Sequence, residues 1–174
     1  YKINRPAMPD SLSVQLPFIR EIIDAYGLAR FEMEGYEADD IIATLVEKLK
    51  DKAVSIVIVS SDKDILQLVR DNIKVFSPYK DGGIIYSQKE ILERYGVKPE
   101  NIIDILALMG DDTDNIPGVA GIGEKTASQL IKEFGSLDNL IKNIDKIKSK
   151  TIMQAIKDNL NLIELNRQLL KLNR

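Results

Sequence analysis

The chain has 174 residues, 44% hydrophobic and 29% charged, a composition with enough apolar material for a globular core and too much for a disordered tail. It contains neither cysteine nor histidine, which excludes disulfides, thiolate metal sites and imidazole chemistry and leaves carboxylates, lysines, hydroxyls and bound ions. With 24 Lys and Arg against 27 Asp and Glu the formal charge is −3, so any nucleic-acid contact must be a local patch, not a basic coat.

No apolar run approaches the ~20 residues that span a bilayer, and the first residues lack the apolar core of a secretory signal. A cytoplasmic protein without a membrane partner is expected.

In chain order, residues 1–12 read as a loop carrying Lys2 and Arg5, with Pro6 and Pro9 as breakers and Asp10 or Ser11 as a helix cap. The apolar spacing of Leu16, Phe18, Ile19, Ile22, Ile23 and Tyr26 predicts a helix over 11–26, stopped by Gly27. A short strand is expected around 29–33, then an amphipathic helix carrying Ala38, Ile41, Ile42, Leu45, Val46 and Leu49. The run VSIVIV over 54–59 suits a parallel strand covered on both faces, and the helix and strand alternation predicts an α/β unit. A short helix over 62–69, strands over 74–76 and 84–86, and a turn at Gly82 and Gly83 follow. Ser87 caps a helix to Tyr95 and Pro99 opens one to Met109. From Gly121 the periodicity is helical, interrupted at Gly135 and over 143–149, so a domain boundary is expected near Gly110. The apolar stripe Leu160, Ile163, Leu165, Leu169 and Leu170 reads as core packing.

Three acidic clusters stand at element edges: Glu37 with Asp39 and Asp40, Asp62 with Asp64, and Asp111, Asp112 and Asp114. Any one of them is explained by capping, since a carboxylate in the first helical turn satisfies free N–H groups and opposes the dipole. Asp62 and Asp64 directly follow the VSIVIV strand, however, and ligands bind beyond the carboxyl ends of strands in an open α/β sheet. Glu37 and Asp40, three residues apart, share a helix face. If the three clusters converge they need counter-charge, and all-oxygen ligands favour Mg²⁺ or Mn²⁺ over zinc.

Residues 117–126, PGVAGIGEKT, form a glycine-rich turn opening a helix, where free N–H groups can hold a phosphate. A nucleotide-binding P-loop is disfavoured because Glu124 separates Gly123 from Lys125 and the preceding element is helical. The better fit is a helix-hairpin-helix joining 101–109 to 125–134, a device that grips a nucleic-acid backbone without reading sequence. A tight turn that merely packs two helices uses the same glycines.

The segments GYEADD (35–40), SSDKDILQL (60–68) and LMGDDTDNIPGVAGIGEKTA (108–127), with YKINRPAMP at the start, resemble the 5′ nuclease family nearly end to end. Within that family the chain is most similar to the 5′ to 3′ exonuclease domain of bacterial DNA polymerase I. The resemblance implies a PIN-like (resolvase-like) parallel-sheet nuclease core over 1–110, incomplete at its N-terminus, followed by an all-α helix-hairpin-helix (SAM-like) subdomain over 111–174. It also implies a structure-specific 5′ to 3′ exonuclease or flap endonuclease that hydrolyses DNA phosphodiesters in primer removal and Okazaki fragment processing. Two or more Mg²⁺ or Mn²⁺ ions carry over to Glu37, Asp39, Asp40, Asp62, Asp64, Asp111 and Asp114, with Asp39 in the outer shell and Asp112 not carried over.

By the same resemblance Lys2, Asp62 and Asp111 are catalytic, and Lys2, Arg5, Gly118, Val119, Gly121, Ile122, Gly123, Lys125 and Thr126 meet DNA. In that family the hairpin commonly holds a potassium ion among its backbone carbonyls; Ala120 stands where some relatives carry Lys, which weakens one phosphate contact. The implied partners are a 5′-flap, nicked or primer-template duplex, RNA–DNA included, and a covalently linked polymerase domain; a monomer is expected. The family begins with a strand ending in aspartate and continues through a helical arch, of which Lys2 and Arg5 match only the basic end, so the chain resembles an N-terminally truncated nuclease domain. Two other functions fit parts of the pattern. One is a DNA-binding module without catalysis, gripping phosphates with the hairpin, Lys132 and Lys142; the other is a metal-dependent ribonuclease of PIN-like fold.

Overall fold

The computed structural model describes residues 7–52, 54–78 and 82–173. Lys2 and Arg5 lie outside them. Two short helices, α1 (Asp10–Ser13) and α2 (Leu16–Ala25), stand where one was expected. Pro17 at the start of α2 has no N–H to continue the ladder, so the chain breaks at Val14 and Gln15, and Gly27 ends α2 at φ 66° as the spacing predicts. Pro9, not Asp10 or Ser11, is the N-cap of α1. The expected strand at 29–33 does not form: the segment runs to α3 (Ala38–Leu49) without a neighbour to supply a ladder, and an extended chain alone satisfies no backbone hydrogen bonds.

Among the described residues the sheet is three-stranded, ordered β1 (Ile56–Val59), β2 (Ile73–Ser77) and β3 (Ile84–Tyr86). β1 and β2 are parallel with Ile58 opposite Val75, while β2 and β3 are antiparallel with Val75 opposite Tyr86, so the sheet is mixed. β1 is not covered on both faces: Ile58 is buried but Val57 and Val59 are 57% and 66% exposed, because no described helix packs on that face. The predicted helix over 62–69 is a single 3-10 turn, Asp64–Leu68, entirely buried between α3, β2 and the later helix Ile102–Met109.

Helix α4 (Gln88–Tyr95) carries the strongest local signal. Ser87 Oγ accepts from the Lys89 N–H while Glu90 accepts from the Ser87 N–H at 2.8 Å, and Gly96 ends the helix at φ 70°. Pro99 opens a 3-10 turn, Pro99–Asn101, from which α5 (Ile102–Met109) continues.

The rest is helical: α6 (Glu124–Phe134), α7 (Leu137–Lys142), α8 (Lys150–Asp158) and α9 (Leu160–Leu170). α5 is apolar on nearly every side because it is the central post, packed against α6, α9 and the buried 3-10 turn. Ile102, Ile105 and Leu106 join Ile65, Leu68, Ile73 and Ile91 in one core, each side chain contributing about 1.5–3 kcal/mol by burial. The stripe on α9 is only partly core. Ile163 and Leu170 are buried, whereas Leu160, Leu165 and Leu169 reach solvent on the far side of the helix.

Candidate metal and nucleic-acid site

At the carboxyl end of β1 the chain turns sharply. Ser60 Oγ accepts from the Asp62 N–H at 3.1 Å and Asp62 Oδ1 accepts from the Asp64 N–H at 3.0 Å, which drives the Asp64 carboxyl into the interior. Buried Gln67 holds the following turn, its Nε2 donating to Asp64 O at 2.8 Å and to Leu170 O at 3.0 Å.

The second acidic loop closes on itself by the pair Asp111 N–H to Ile116 O, 2.9 Å, and Ile116 N–H to Asp111 O, 2.8 Å. Asp111 Oδ1 accepts from the Thr113 N–H at 2.8 Å, and Asn115 adopts φ 54°, a left-handed conformation that asparagine tolerates in tight turns. Asp111 and Asp114 are buried by this turn and Asp112 is left exposed.

These loops and the first turn of α3 converge on Asp64. Burial pushes its carboxyl up to about 8, and the charges of Asp62, Asp111, Asp114 and Asp39 push the same way. Lys63 Nζ, 3.7 Å from Asp111 Oδ2, supplies nearby positive charge. From the first turn of α3, Asp39 adds its charge at Asp64, and Asp40 Oδ1 accepts from the Asn173 N–H at 2.9 Å. Among the described residues no three carboxylates are drawn tightly enough to hold one ion.

The donor set nevertheless fits a hard divalent cation. Asp64 Oδ1 is a buried acceptor with no hydrogen-bond donor, and the groups around it are carboxylates, so a cation is the species that would satisfy them together.

The hairpin is assembled by close backbone approach. A Cβ on Gly118 would strike the Met109 carbonyl and one on Gly110 would strike the Gly118 backbone, so glycine alone lets α5 and the loop touch. Val119 N–H then donates to Leu108 O at 2.8 Å, Ile122 N–H to Val119 O at 3.0 Å, and α6 begins after Gly123 without a side-chain cap. Val119 and Ile122 turn their side chains into the core, which limits any contact they make with DNA to the backbone; Gly121, Gly123 and Lys125 are exposed and Thr126 is half-buried.

Sequence reasoning missed Asn166. It is 1% exposed on α9, and its Nδ2 donates to Pro117 O at 2.7 Å and Ala107 O at 3.1 Å, tying α9 to the hairpin and α5. A lone polar residue in an apolar stripe was the available signal. Gln67 and Arg94 were also missed. Arg94 Nη2 stands 3.7 Å from Glu124 Oε2, a link between α4 and the start of α6.

The fold and site together define a resolvase-like α/β unit with an acidic crevice, joined to a helix-hairpin-helix unit of SAM fold. Residues 1–96 match the 5′-3′ exonuclease N-terminal resolvase-like domain, and residues 97–174 match the 5′-3′ exonuclease C-terminal SAM fold. The chain belongs to the 5′-3′ exonuclease family.

It is 43% identical over 172 residues to a 5′-3′ exonuclease of Aquifex aeolicus, covering 99% of this chain and 57% of that protein. It is 42% identical over 169 residues to the thermostable DNA polymerase I of Thermus thermophilus, covering 97% of this chain and 20% of the polymerase. A bacteriophage T5 flap endonuclease, solved with DNA and metal ions, superposes with a TM-score of 0.76 at 26% identity, over 96% of this chain and 62% of its own. The chain thus spans little more than half of the exonuclease it matches and a fifth of the polymerase. Among the described residues no helix is long and apolar enough to cross a membrane.

Proposed function

We propose that this chain carries the acidic site and the duplex grip of a structure-specific 5′ to 3′ exonuclease or flap endonuclease that hydrolyses DNA phosphodiesters in replication and repair. The observation that carries the reading is the convergence of Asp39, Asp62, Asp111 and Asp114 on Asp64, whose buried Oδ1 has no hydrogen-bond donor. These five, with Glu37 and Asp40 at the mouth of α3, would hold two or more Mg²⁺ or Mn²⁺ ions. When bound, such ions lower the pKa of water and neutralise charge developing on the phosphoryl oxygens.

The chain's own residues do the positioning. Asp62 and Asp64 are held by the turn after β1, and Asp111 and Asp114 by the loop closed at Ile116. Gly121, Gly123 and the first residues of α6 are exposed, and their backbone N–H groups would bind duplex phosphates, with a potassium ion at the hairpin carbonyls as a further element. Lys2, outside the described residues, would help orient the scissile phosphate, and Arg5, also outside them, would contact DNA. The Thermus relative motivates a covalently linked polymerase domain, and a cytoplasmic monomer completes the reading.

The test is cleavage of a labelled 5′-flap DNA in Mg²⁺, with chelator and a matched RNA flap as controls. A product cut near the junction that chelator abolishes supports the reading. DNA binding without any metal-dependent cut supports the alternative of a DNA-binding module, which is favoured by the absence, among the described residues, of three carboxylates tight enough to hold one ion. Preference for the RNA flap would move the activity to a ribonuclease.

A further inference from the structure

A cavity of about 250 Å³ lies beyond the carboxyl ends of β1 and β2, between Asp62 and helix α4. Leu66 and Val75 give it an apolar part, and serine, lysine and arginine donors line it together with the Asp62 carboxylate. Ser61 Oγ and Ser77 Oγ are 3.1 Å apart, so one of the two hydroxyls can donate to the other while its partner's proton is left for a guest. Ser60 Oγ already accepts from the Asp62 N–H, which leaves its own proton to donate.

The far wall is Arg94. Its guanidinium lies 4.7 Å from the centroid of the Tyr95 ring, Nη1 donates to Tyr86 Oη at 2.7 Å, and Nη2 faces Glu124 Oε2 at 3.7 Å. Both tyrosines are buried, so the fork is held in one orientation while its side chain stays 34% exposed. An arginine fixed in this way loses little rotamer freedom on meeting an anion, and its planar donors match phosphate geometry. Lys63, also lining the cavity, adds a second cation; against these two stand Asp62 in the lining, Glu124 behind Arg94 and Asp111, 3.7 Å from Lys63 Nζ.

Position gives the cavity its meaning. One wall touches Glu124, the first residue of the hairpin helix α6, and the other is Asp62 of the acidic site. On the proposed function, a strand gripped by the hairpin and presented to the carboxylates would cross this span.

We propose that the cavity is a phosphate subsite for the DNA backbone between grip and cut, with Arg94 as its principal contact and Lys63 and the serine hydroxyls completing it. The inference rests on the proposed function and deepens it, since it assigns a positioning contact on the substrate's path.

The test is equilibrium binding of a fluorescent 5′-flap DNA by anisotropy in Ca²⁺, over a series of salt concentrations, for the unaltered chain, Arg94→Ala and Arg94→Lys. One phosphate contact contributes about 0.9 to the slope of log K against log salt. Arg94→Ala is expected to weaken binding about tenfold at low salt and to reduce the slope by about 0.9, while Arg94→Lys keeps the slope and loses part of the affinity. A series of flaps bearing single neutral methylphosphonates locates the contact: at one position near the junction the unaltered chain loses affinity and Arg94→Ala loses nothing further. An unchanged slope in Arg94→Ala overturns the subsite whether or not affinity falls, because a packing role for Arg94 would weaken binding without removing a phosphate contact. If the unaltered chain does not bind DNA at all, the proposed function itself fails and the subsite fails with it, an outcome distinct from a change confined to Arg94.

Discussion

Asn166 and Pro117 are 49 positions apart in the chain, yet the carboxamide of the first donates to the carbonyl of the second at 2.7 Å. The same nitrogen donates to Ala107 O at 3.1 Å, so one buried amide fastens helix α9 to both the central post α5 and the hairpin loop. Replacing Asn166 by Ala strands two carbonyls. Loss of about 2–4 kcal/mol in chemical denaturation is expected, together with weaker duplex binding as the loop drifts from α5. Unchanged stability would show that the amide is not what fastens the hairpin.

Gly118→Ala tests the close approach that builds the hairpin. The added Cβ meets the Met109 carbonyl, which cannot retreat without unwinding the end of α5, so a loss of about 3 kcal/mol and a large drop in duplex affinity are expected. Gly121→Ala is the matched control. Nothing crowds that position, and only its φ of +81° opposes a side chain, at about 1–2 kcal/mol. Equal effects in the two variants, by thermal denaturation, would argue against the steric account.

Asp64→Asn separates ion binding from folding. Calorimetric titration with Mn²⁺ is expected to show affinity reduced about tenfold or more. The ion-free variant should unfold no more readily than the parent at pH 7, since it removes a carboxyl whose ionisation burial opposes. Full ion affinity in the variant would remove Asp64 from the ligand set.

Asp104 gives a pH dependence unconnected with metal. Burial raises its pKa, against the hydrogen bonds that its Oδ2 accepts from the Leu137 N–H at 3.0 Å and from Asn101 at 3.3 Å. The folded chain therefore holds this proton more tightly than the unfolded chain does. Its favourable contribution is complete below the unfolded carboxylate value of about 3.9 and declines as pH rises through the higher folded value. Urea denaturation of the parent and Asp104→Asn should show the parent losing stability relative to the variant as pH rises from 4. A difference that stays constant with pH would contradict the burial of a titrating group here.

Several features of the fold and site were legible along the chain because their physics is local. The Ser87 and Glu90 capping box, the glycine at position 96 that ends α4 and the β-branched run of β1 each express hydrogen bonding or sterics within a few residues. Two of the three acidic motifs were legible for the same reason, since Asp62 and Asp111 each close the turn in which they sit, while the third stands at the start of α3. Pro17 was a local signal too, and it broke a helix that apolar spacing alone had joined.

What the chain order could not supply is which faces meet. Val57 and Val59 have the sequence of a doubly covered strand and the surroundings of an exposed one, since coverage depends on elements elsewhere. That the charge of Asp39 reaches Asp64 follows from the packing of α3 on the 3-10 turn, which the order of residues does not state.

Composition, capping and turn chemistry by themselves excluded thiol and imidazole ligands and determined the glycine-rich turn and the placing of most helices. The tertiary structure alone decided that Asn166, Gln67 and Asp40 are linked through α9 and its tail to the hairpin and acidic loops, over separations of 49, 103 and 133 residues. Helical periodicity reports burial only within a turn or two, whereas a buried amide finds its acceptors wherever packing brings an unpaired carbonyl to it.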